Sequence, residues 1–294
     1  MPSASAEGQA QAPGALYVVA TPIGNLGDLS SRAADTLRAV DRVLAEDTRR
    51  TRGLLSHLAI TGKRLERLDA HASETQIASV VRALLAGETA ALVSDAGVPG
   101  VSDPGAELVR AAVQAGIRVL PIAGPSALTA AVSVCEFVQG PFLFLGFLPR
   151  KGKKRKQALS RIAAALEPVV LFESAERIAA TLEELATVAG ERSVLVCREL
   201  TKLHEELVRG TLTELAASER EWLGEITVVI DAAPSEGAET EPDLEAIDSE
   251  IEARLATGEH TRDIAAALAE HSGLTRRELY ERTEQLKRKG QSQE

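Results

Sequence analysis

Three turns rich in glycine and proline follow apolar runs in the first half of the chain and have the composition of a ligand-binding site. They are PIGNLGDL at 22–29, DAGVPGVSDPG at 95–105 and AGPSAL at 123–128. Glycine lets the backbone approach a ligand closely, and proline fixes a loop at low entropic cost. Because loops at the carboxyl ends of parallel strands converge, we expect the three turns to form one binding crevice. Turn formation alone would explain any one of them and is a weaker explanation of three in succession.

The turns do not match the motifs of three common enzyme classes. Gly24 and Gly27 have G-x-x-G spacing, which lacks the G-x-G-x-x-G of dinucleotide-binding folds. Five residues separate Gly146 from Gly152, whereas a phosphate-binding P-loop has four at that point. Ser126 stands in GPSAL rather than in the G-x-S-x-G of a nucleophile elbow, so we interpret it as a helix cap or ligand contact.

Charged side chains at or just beyond predicted strand ends are candidates for catalysis. Lys202 and Glu199 in RELTK are the first candidates, with Glu199 as the orienting partner. A lysine with a lowered pKa would accept a proton, whereas a charged lysine would stabilise an alkoxide. Asp47 with Arg49 in EDTRRTR and Glu173 in FES are further polar groups of this kind. For each of them, a surface ion pair is the alternative role.

Cations are concentrated in two segments of an acidic chain, residues 49–52 and residues 150–156. The formal net charge is −10, which is the wrong sign for a protein coated in basic surface that binds nucleic acid. Residues 150–156, here called the basic segment, contain six cations in seven positions. A solvated loop and helix start is its alternative role. The candidate phosphate contacts are Arg49, Arg50, Arg150, Lys151, Lys153, Lys154 and Arg155.

The elements that must position these residues follow from the hydrophobic pattern. Short β-branched runs alternate with amphipathic stretches from Leu16 to Phe144, which predicts strands joined by helical crossovers in a mainly parallel sheet. This first domain is expected to close with the apolar run at 141–147, and a second α/β segment with a mixed sheet follows. The predicted organisation is a disordered tail at 1–14, an α/β domain at 15–146, a second α/β domain at 147–232, a linker at 233–243 and a small helical domain at 244–294.

The sequence also carries information about membrane spans, cellular location and cysteine chemistry. The first fourteen residues contain no apolar run of the kind found in signal peptides, and no later stretch has about 18 uninterrupted apolar residues. We therefore expect no membrane span and a cytoplasmic location. Cys135 and Cys197 stand alone in apolar contexts without partners at metal-binding spacing, which predicts buried thiols and no metal site.

Eight ordered blocks of the sequence carry a resemblance to a known family. They are VVATPIGNLGDLS, VLAEDTRRTRGLL, LVSDAGVPGVSDPG, PIAGPSALTAA, GFLPRKGKKR, LFESAERI, CRELTKLHEELVRGTL and GEITVVI. Over about residues 15–232 the chain resembles the bacterial 16S ribosomal RNA cytidine ribose-2′-O-methyltransferases, which form part of the RNA-acting branch of the tetrapyrrole methylase superfamily. Tetrapyrrole-acting relatives carry G-x-G-P-G after the first strand, whereas Thr21-Pro22-Ile23-Gly24-Asn25 stands there in this chain. This departure favours the RNA-acting branch.

The resemblance implies two α/β domains of tetrapyrrole-methylase type, S-adenosylmethionine bound in the cleft between them, and a homodimer. It implies ribose methylation of 16S ribosomal RNA in the small subunit, with the phosphate contacts above as RNA contacts. The implied or candidate cofactor-binding residues are Pro22, Gly24, Asp95, Gly97, Val98, Pro99, Ser102, Asp103, Gly124, Pro125, Ser126, Ala127, Phe172, Ile226 and Thr227. The alternatives are a methyltransferase acting on a tetrapyrrole and a non-catalytic ribosome-assembly factor that binds RNA.

Overall fold

The structure is a computed structural model and describes residues 14–69, 72–102, 105–234, 244–269, 272 and 274–291. The chain divides into two compact units, one ending at Ala233 and one beginning at Pro234. This division falls at the start of the predicted linker. The predicted tail at 1–13, most of the linker at 235–243, and Asp103 lie outside the described residues.

A parallel five-stranded sheet forms the first part of the larger unit, as the alternating pattern predicts. Its strands are β1 (Ala15–Val19), β2 (Arg42–Ala45), β3 (Arg64–Arg67), β4 (Ala90–Val93) and β5 (Arg118–Ile122). The helices are α1 (Ser31–Ala39), α2 (Thr48–His57), α3 (Glu74–Leu85), α4 (Ala106–Gln114) and α5 (Ala127–Ser133). The strand order is β3-β2-β4-β1-β5, and every pair is parallel. The carboxyl ends of the strands therefore share one edge, where the three glycine-rich turns begin.

Helices cover both faces of this sheet, which is why its strands are apolar on both sides. Val43 packs in a core with Leu37 of α1 and Leu55 of α2. The adjacent residue Leu44 packs on the opposite face with Leu84 of α3. Successive strand side chains point to opposite faces, so a doubly covered sheet requires the continuous apolar runs seen in the sequence.

A mixed five-stranded sheet forms the second part of the larger unit. Its strands are β6 (Leu143–Phe147), β7 (Val169–Ser174), β8 (Ser193–Arg198), β9 (Glu206–Thr211) and β10 (Glu225–Ile230). The helices of this part are α6 (Lys153–Ala163), α7 (Ala175–Ala189) and α8 (Leu212–Ala216). The order is β6-β7-β10-β8-β9, in which β6 and β7 are parallel and the other pairs are antiparallel. The prediction of a mixed sheet is confirmed.

The expected position of the apolar run at 141–147 was wrong. It was predicted to close the first domain, but β6 pairs with β7 of the second sheet. An apolar run indicates a buried strand but carries no information about which sheet it joins. Likewise, α5 packs on the second sheet, where Ala131 contacts the cluster of Val170, Leu195 and Val229. Both elements that precede the basic segment therefore pack with the second sheet.

The described residues of the second unit form the helices α9 (Leu244–Ala256), α10 (Thr261–Leu268) and α11 (Arg276–Gln291), in agreement with the predicted small helical domain. Ile251, Ile264 and Leu279 form the centre of its own hydrophobic core. The spacing of Thr275 and Glu278 in the sequence predicts a capping box before α11, and the structure confirms it, since each backbone N–H donates a hydrogen bond to the side chain of the other residue. No helix among the described residues is long and apolar enough to cross a membrane.

Candidate functional site

A cavity of about 370 Å³ lies between the carboxyl edge of the first sheet and the second sheet. This volume falls within the range of about 300–1,000 Å³ that is typical of small-molecule sites. The lining residues are Ile23, Glu46, Arg50, Asp95, Ala96, Gly97, Val98, Val101, Ser102, Ser126, Ala127, Phe147, Phe172, Glu173, Ser174, Cys197, Leu200, Gly224, Glu225, Ile226 and Thr227. All three glycine-rich turns contribute, so the predicted convergence into one crevice is confirmed.

Backbone hydrogen bonds join the first two turns. The N–H groups of Thr21 and Gly97 each donate to the carbonyl of the other, over 2.8 and 3.0 Å. The hydroxyl of buried Thr21 also donates to the carbonyl of Ser94. Gly97 has a φ of 81°, and a Cβ there would lie 3.4 Å from the side chain of Ile23. The positive φ therefore favours glycine at this position, whereas the distance to Ile23 is that of an ordinary van der Waals contact.

The third turn places Ser126 at the start of α5. Ser126 occupies the N-cap position, but its side chain makes no capping hydrogen bond within the described part of the chain. Ser126 and Ala127 both line the cavity. Of the two predicted roles for Ser126, this geometry favours ligand contact over side-chain capping.

The second sheet supplies an aromatic and polar wall. The ring of Phe172 lies 5.0 Å from that of Phe144 and 5.6 Å from that of Phe147, measured between centroids. Thr227 pairs directly with Phe172 across β10 and β7, so both residues lie side by side in the wall. Cys197 also lines the cavity, and burial raises the pKa of its thiol to about 12. The thiol thus remains protonated and acts as a buried apolar group, as predicted.

The predicted cofactor residues divide into two groups by position. Those that line the cavity are Asp95, Gly97, Val98, Ser102, Ser126, Ala127, Phe172, Ile226 and Thr227. Among the predicted residues that the structure describes, those outside the lining are Pro22, Gly24, Pro99, Gly124 and Pro125. Two of these glycines have packing roles instead, since a Cβ on Gly124 would lie 3.0 Å from Ala20 and one on Gly24 would lie 2.3 Å from Lys202.

Sequence reasoning missed Glu46 and Glu225 as lining residues. Glu46 directly follows β2, so its place at a strand end was a usable indication. Burial raises the pKa of the Glu46 carboxyl, and the neighbouring charge of Asp95 adds to this shift despite the opposing effect of Arg50. Asp95 itself accepts a hydrogen bond from the Asp47 N–H. The cavity therefore contains a carboxylate that is destabilised by its surroundings.

We expect Glu46→Gln to raise the melting temperature by roughly 1–3 °C near pH 8. A carboxyl whose pKa is raised on folding contributes stability that is present below its unfolded pKa and is lost as the pH rises through its folded pKa. The gain should thus disappear near pH 4, where the carboxyl is largely protonated in both states. Thermal melts at both pH values test this, with Glu167→Gln at an exposed position as control. A stabilisation of equal size at both pH values would contradict the assignment.

Lys202 and Glu199 form an ionic cluster with Glu225. The Lys202 Nζ lies 2.7 Å from Glu199 Oε1 and 2.9 Å from Glu225 Oε2. Glu199 Oε1 also accepts a hydrogen bond from the Glu225 N–H. Burial alone would lower the pKa of Lys202, but its hydrogen bonds to the two carboxylates and their charges outweigh burial and raise the pKa. The alternative of a lysine with a lowered pKa was wrong, and Lys202 is a charged ammonium group.

The turn that carries this cluster has an unusual backbone. Glu199 and Thr201 adopt φ values of 52° and 67°, a left-handed conformation that costs energy for residues other than glycine. The Thr201 hydroxyl oxygen is buried and has no hydrogen-bond partner among the described residues. Gly24 of the first turn packs against Thr201 and Lys202. Such strain is typical of functional sites, and the contact joins the first turn to the second sheet.

The predicted phosphate contacts occupy different environments. Lys153 and Lys154 are exposed at the start of α6, and Arg150 and Lys151 line a surface groove next to α7. Arg50 lines the mouth of the main cavity at 3.6 Å from Asp95. Arg49, which directly precedes Arg50, is exposed and pairs with Asp47.

The prediction of Arg155 as a phosphate contact was wrong. Arg155 is only 8% exposed, and its guanidinium donates to Glu184, Thr181 and the carbonyl of Pro149. A helix in contact with its neighbour on one side buries residues that are three or four positions apart, which in α6 are Arg155, Leu159 and Ile162. This periodicity directs Arg155 inward while Lys153 and Lys154 remain outside.

Comparison with known proteins identifies the family of the chain. Residues 15–216 match the family described as Tetrapyrrole (Corrin/Porphyrin) Methylases. The chain belongs to this family. The predicted superfamily, α/β fold and methyltransferase class are confirmed.

Two curated relatives of the chain share a name that specifies ribosomal RNA. The chain is 47% identical to a protein of Xylella fastidiosa named ribosomal RNA small subunit methyltransferase I, over 77% of this chain and 84% of that protein. A protein of the same name from Synechocystis is 42% identical over 94% of this chain and all of that protein.

Solved structures of other tetrapyrrole methylases share the fold. Uroporphyrin-III C-methyl transferase from Thermus thermophilus, solved with S-adenyl homocysteine, has a TM-score of 0.55 and 18% identity, and the match covers 74% of this chain and 97% of that one. The methyltransferase CobJ has a TM-score of 0.58 and 17% identity, with coverage of 75% and 95%. At this identity the likeness concerns the fold alone.

Proposed function

We propose that this protein transfers a methyl group from S-adenosylmethionine to the ribose 2′-hydroxyl of a cytidine in 16S ribosomal RNA of the small subunit. The observation that carries the proposal is the cavity that all three glycine-rich turns form with the second sheet. The names of the curated relatives support a ribosomal RNA substrate. A homodimer as the working unit and a cytoplasmic location belong to the proposal as expectations from the sequence.

The residues of the cavity suit S-adenosylmethionine. Its sulfonium and ammonium groups are cations, and the described lining contains Glu46, Asp95, Glu173 and Glu225. Because Glu173 is paired with Arg177 and Glu225 with Lys202, we assign the cofactor's cations to Glu46 and Asp95. Phe172 and Phe147 offer aromatic surface for an adenine ring. Gly97 places no side chain in the approach to the cavity, while its own N–H and carbonyl hold the turn to Thr21. We assign cofactor binding to these residues together with Ser126, Ala127 and Thr227.

The main catalytic task of the chain is alignment and stabilisation of the attacking oxygen. When bound, the cofactor supplies an activated methyl group on a positively charged sulfur. A ribose hydroxyl is a weak acid, so its oxygen needs stabilisation as its proton passes to solvent water and negative charge develops. Lys202 Nζ would donate a hydrogen bond to this oxygen, and Glu199 and Glu225 hold Lys202 in place. Glu225 also lines the cavity, so the cluster would lie next to a cofactor bound there.

Exposed cations supply the proposed RNA contacts. Arg150, Lys151, Lys153 and Lys154 lead into α6, and Arg50 stands at the mouth of the cavity. Phosphate contacts of this kind position a nucleic acid without reading its sequence. The formal net charge of −10 requires such contacts to be local clusters of cations rather than a basic surface over the whole protein.

Mapping of modified nucleotides by mass spectrometry tests the proposal. Small-subunit RNA from cells without the protein should lack one 2′-O-methylated cytidine that is present in cells with it. Expression of the wild-type chain should restore the modification. An unchanged map, or transfer of labelled methyl groups to a tetrapyrrole instead of RNA, would contradict the proposal. Failure to bind S-adenosylmethionine in calorimetry would favour a non-catalytic RNA-binding factor.

A further inference from the structure

We propose that a buried network of hydrogen bonds and ion pairs fastens the basic segment to the wall of the cavity, and that Glu173 and Thr181 thereby position bound RNA relative to the cofactor. Both are positioning residues, because they act through Arg155 and Arg177. The inference rests on the proposed function, since it takes the exposed cations of the basic segment as RNA contacts.

One end of the network is the carboxylate of Glu173 in the cavity wall. The side chain of Glu173 is 0% exposed. Its Oε1 accepts a hydrogen bond from the Ser174 N–H over 2.9 Å. Its Oε2 accepts one from the Thr181 hydroxyl over 2.8 Å and lies 3.2 Å from the guanidinium of Arg177. A carboxylate buried to this degree requires such partners, so Glu173 is held in one position.

The other end of the network holds the backbone that leads into the basic segment. Arg155 donates to the Thr181 hydroxyl oxygen over 3.0 Å and to the carbonyl of Pro149 over 3.1 Å. Arg177 donates to the carbonyl of Leu148 over 2.9 Å. Leu148 and Pro149 directly precede the basic segment. Glu173 therefore anchors Arg177 directly and Arg155 through Thr181. The two arginines in turn hold the carbonyls of two consecutive residues, Leu148 and Pro149.

Burial distinguishes the anchoring cation from its neighbours in the basic segment. Arg155 is buried, whereas Lys153 and Lys154 beside it are exposed. The same segment therefore contains the cations available to phosphate and the cation that attaches them to the protein. Because the attachment ends at a residue of the cavity wall, displacement of either end alters the distance between RNA and cofactor.

Two substitutions of Thr181 in the full-length protein test the network. Thr181→Val keeps the shape of the buried side chain and removes its hydroxyl, whereas Thr181→Ser keeps the hydroxyl. We expect Thr181→Val to weaken binding of small ribosomal subunits, and to raise their KM, by roughly 2- to 30-fold. We expect kcat and the affinity for S-adenosyl homocysteine in calorimetry to stay within about twofold. Amide hydrogen exchange over residues 150–156 should become faster in Thr181→Val. Thr181→Ser should keep the wild-type RNA affinity, KM and amide exchange.

The outcomes separate a positioning role from a merely structural one. Equal losses of RNA and cofactor affinity, equal losses in Thr181→Val and Thr181→Ser, or unchanged RNA affinity in Thr181→Val would overturn the inference. If the wild-type protein does not bind small subunits, the proposed function fails instead. In that case the amide exchange still decides whether the network fastens the segment, with unchanged exchange in Thr181→Val as the result against it.

Discussion

Replacement of Lys202 by methionine is expected to lower kcat for RNA methylation by about 10²–10³-fold, the cost of removing one charged donor at a developing oxyanion. Methionine keeps most of the length of the side chain and removes its charge. Cofactor affinity should change little, since Lys202 does not line the described cavity and only its partner Glu225 does. Single-turnover kinetics with labelled S-adenosylmethionine, together with calorimetry of cofactor binding, measure both quantities.

The pH dependence of kcat separates a charged lysine from a basic one. The carboxylates of Glu199 and Glu225 raise the pKa of Lys202 against the effect of burial, so the ammonium persists at neutral and moderately alkaline pH. Activity that depends on the ammonium is lost only as the pH rises through this raised pKa. A lysine acting as base would instead lose activity as the pH falls. Arg209→Met, which removes an exposed cation from β9, is the control and should retain wild-type kcat. Retention of kcat in Lys202→Met would refute the role of Lys202.

Reversal of two charges at the start of α6, Lys153→Glu with Lys154→Glu, is expected to weaken RNA binding by roughly 10- to 100-fold at low salt. Both side chains are exposed in the basic segment and are suited to phosphate contacts. If each makes one such contact, the slope of log K against log salt should become less steep by about 2. Cofactor affinity should remain unchanged, because neither lysine lines the cavity in the described chain. Binding titrations with small ribosomal subunits at several salt concentrations test this.

A charge-matched control distinguishes local contacts from a general effect of net charge. Arg38→Glu with Arg64→Glu makes the same change in net charge at exposed positions near the amino ends of β2 and β3. This edge of the first sheet is opposite to the cavity, so RNA affinity should fall much less than in the α6 variant. Equal losses of RNA affinity in the two double variants, or loss of cofactor binding in the α6 variant, would contradict the assignment of RNA contacts to these two lysines and of cofactor binding to the cavity.

Local pattern was sufficient for most of the fold. The sequence pattern predicts helices at about 48–57 and 106–115, and helices α2 and α4 begin at Thr48 and Ala106, because periodicity and flanking residues fix helix starts over a few positions. Strand β3 was missed because RLER at 64–67 contains one apolar residue and forms an edge strand with exposed positions. Its place depends on pairing with β2, which is a tertiary contact.

The amino-acid sequence by itself determined the parallel first sheet, the three glycine-rich turns and their meeting at one edge, because these follow from local propensity and from the geometry of strand–helix units. Only the tertiary structure decided what faces those turns. The pairing of β10 with β7 and β8 brings Glu225, Ile226 and Thr227 to a cavity whose opposite wall lies more than 90 residues earlier in the chain. Packing of α6 against α7 likewise buries Arg155, while Lys153 and Lys154 remain exposed. Contacts of this kind depend on which surfaces pack together, and no short stretch of sequence encodes that choice.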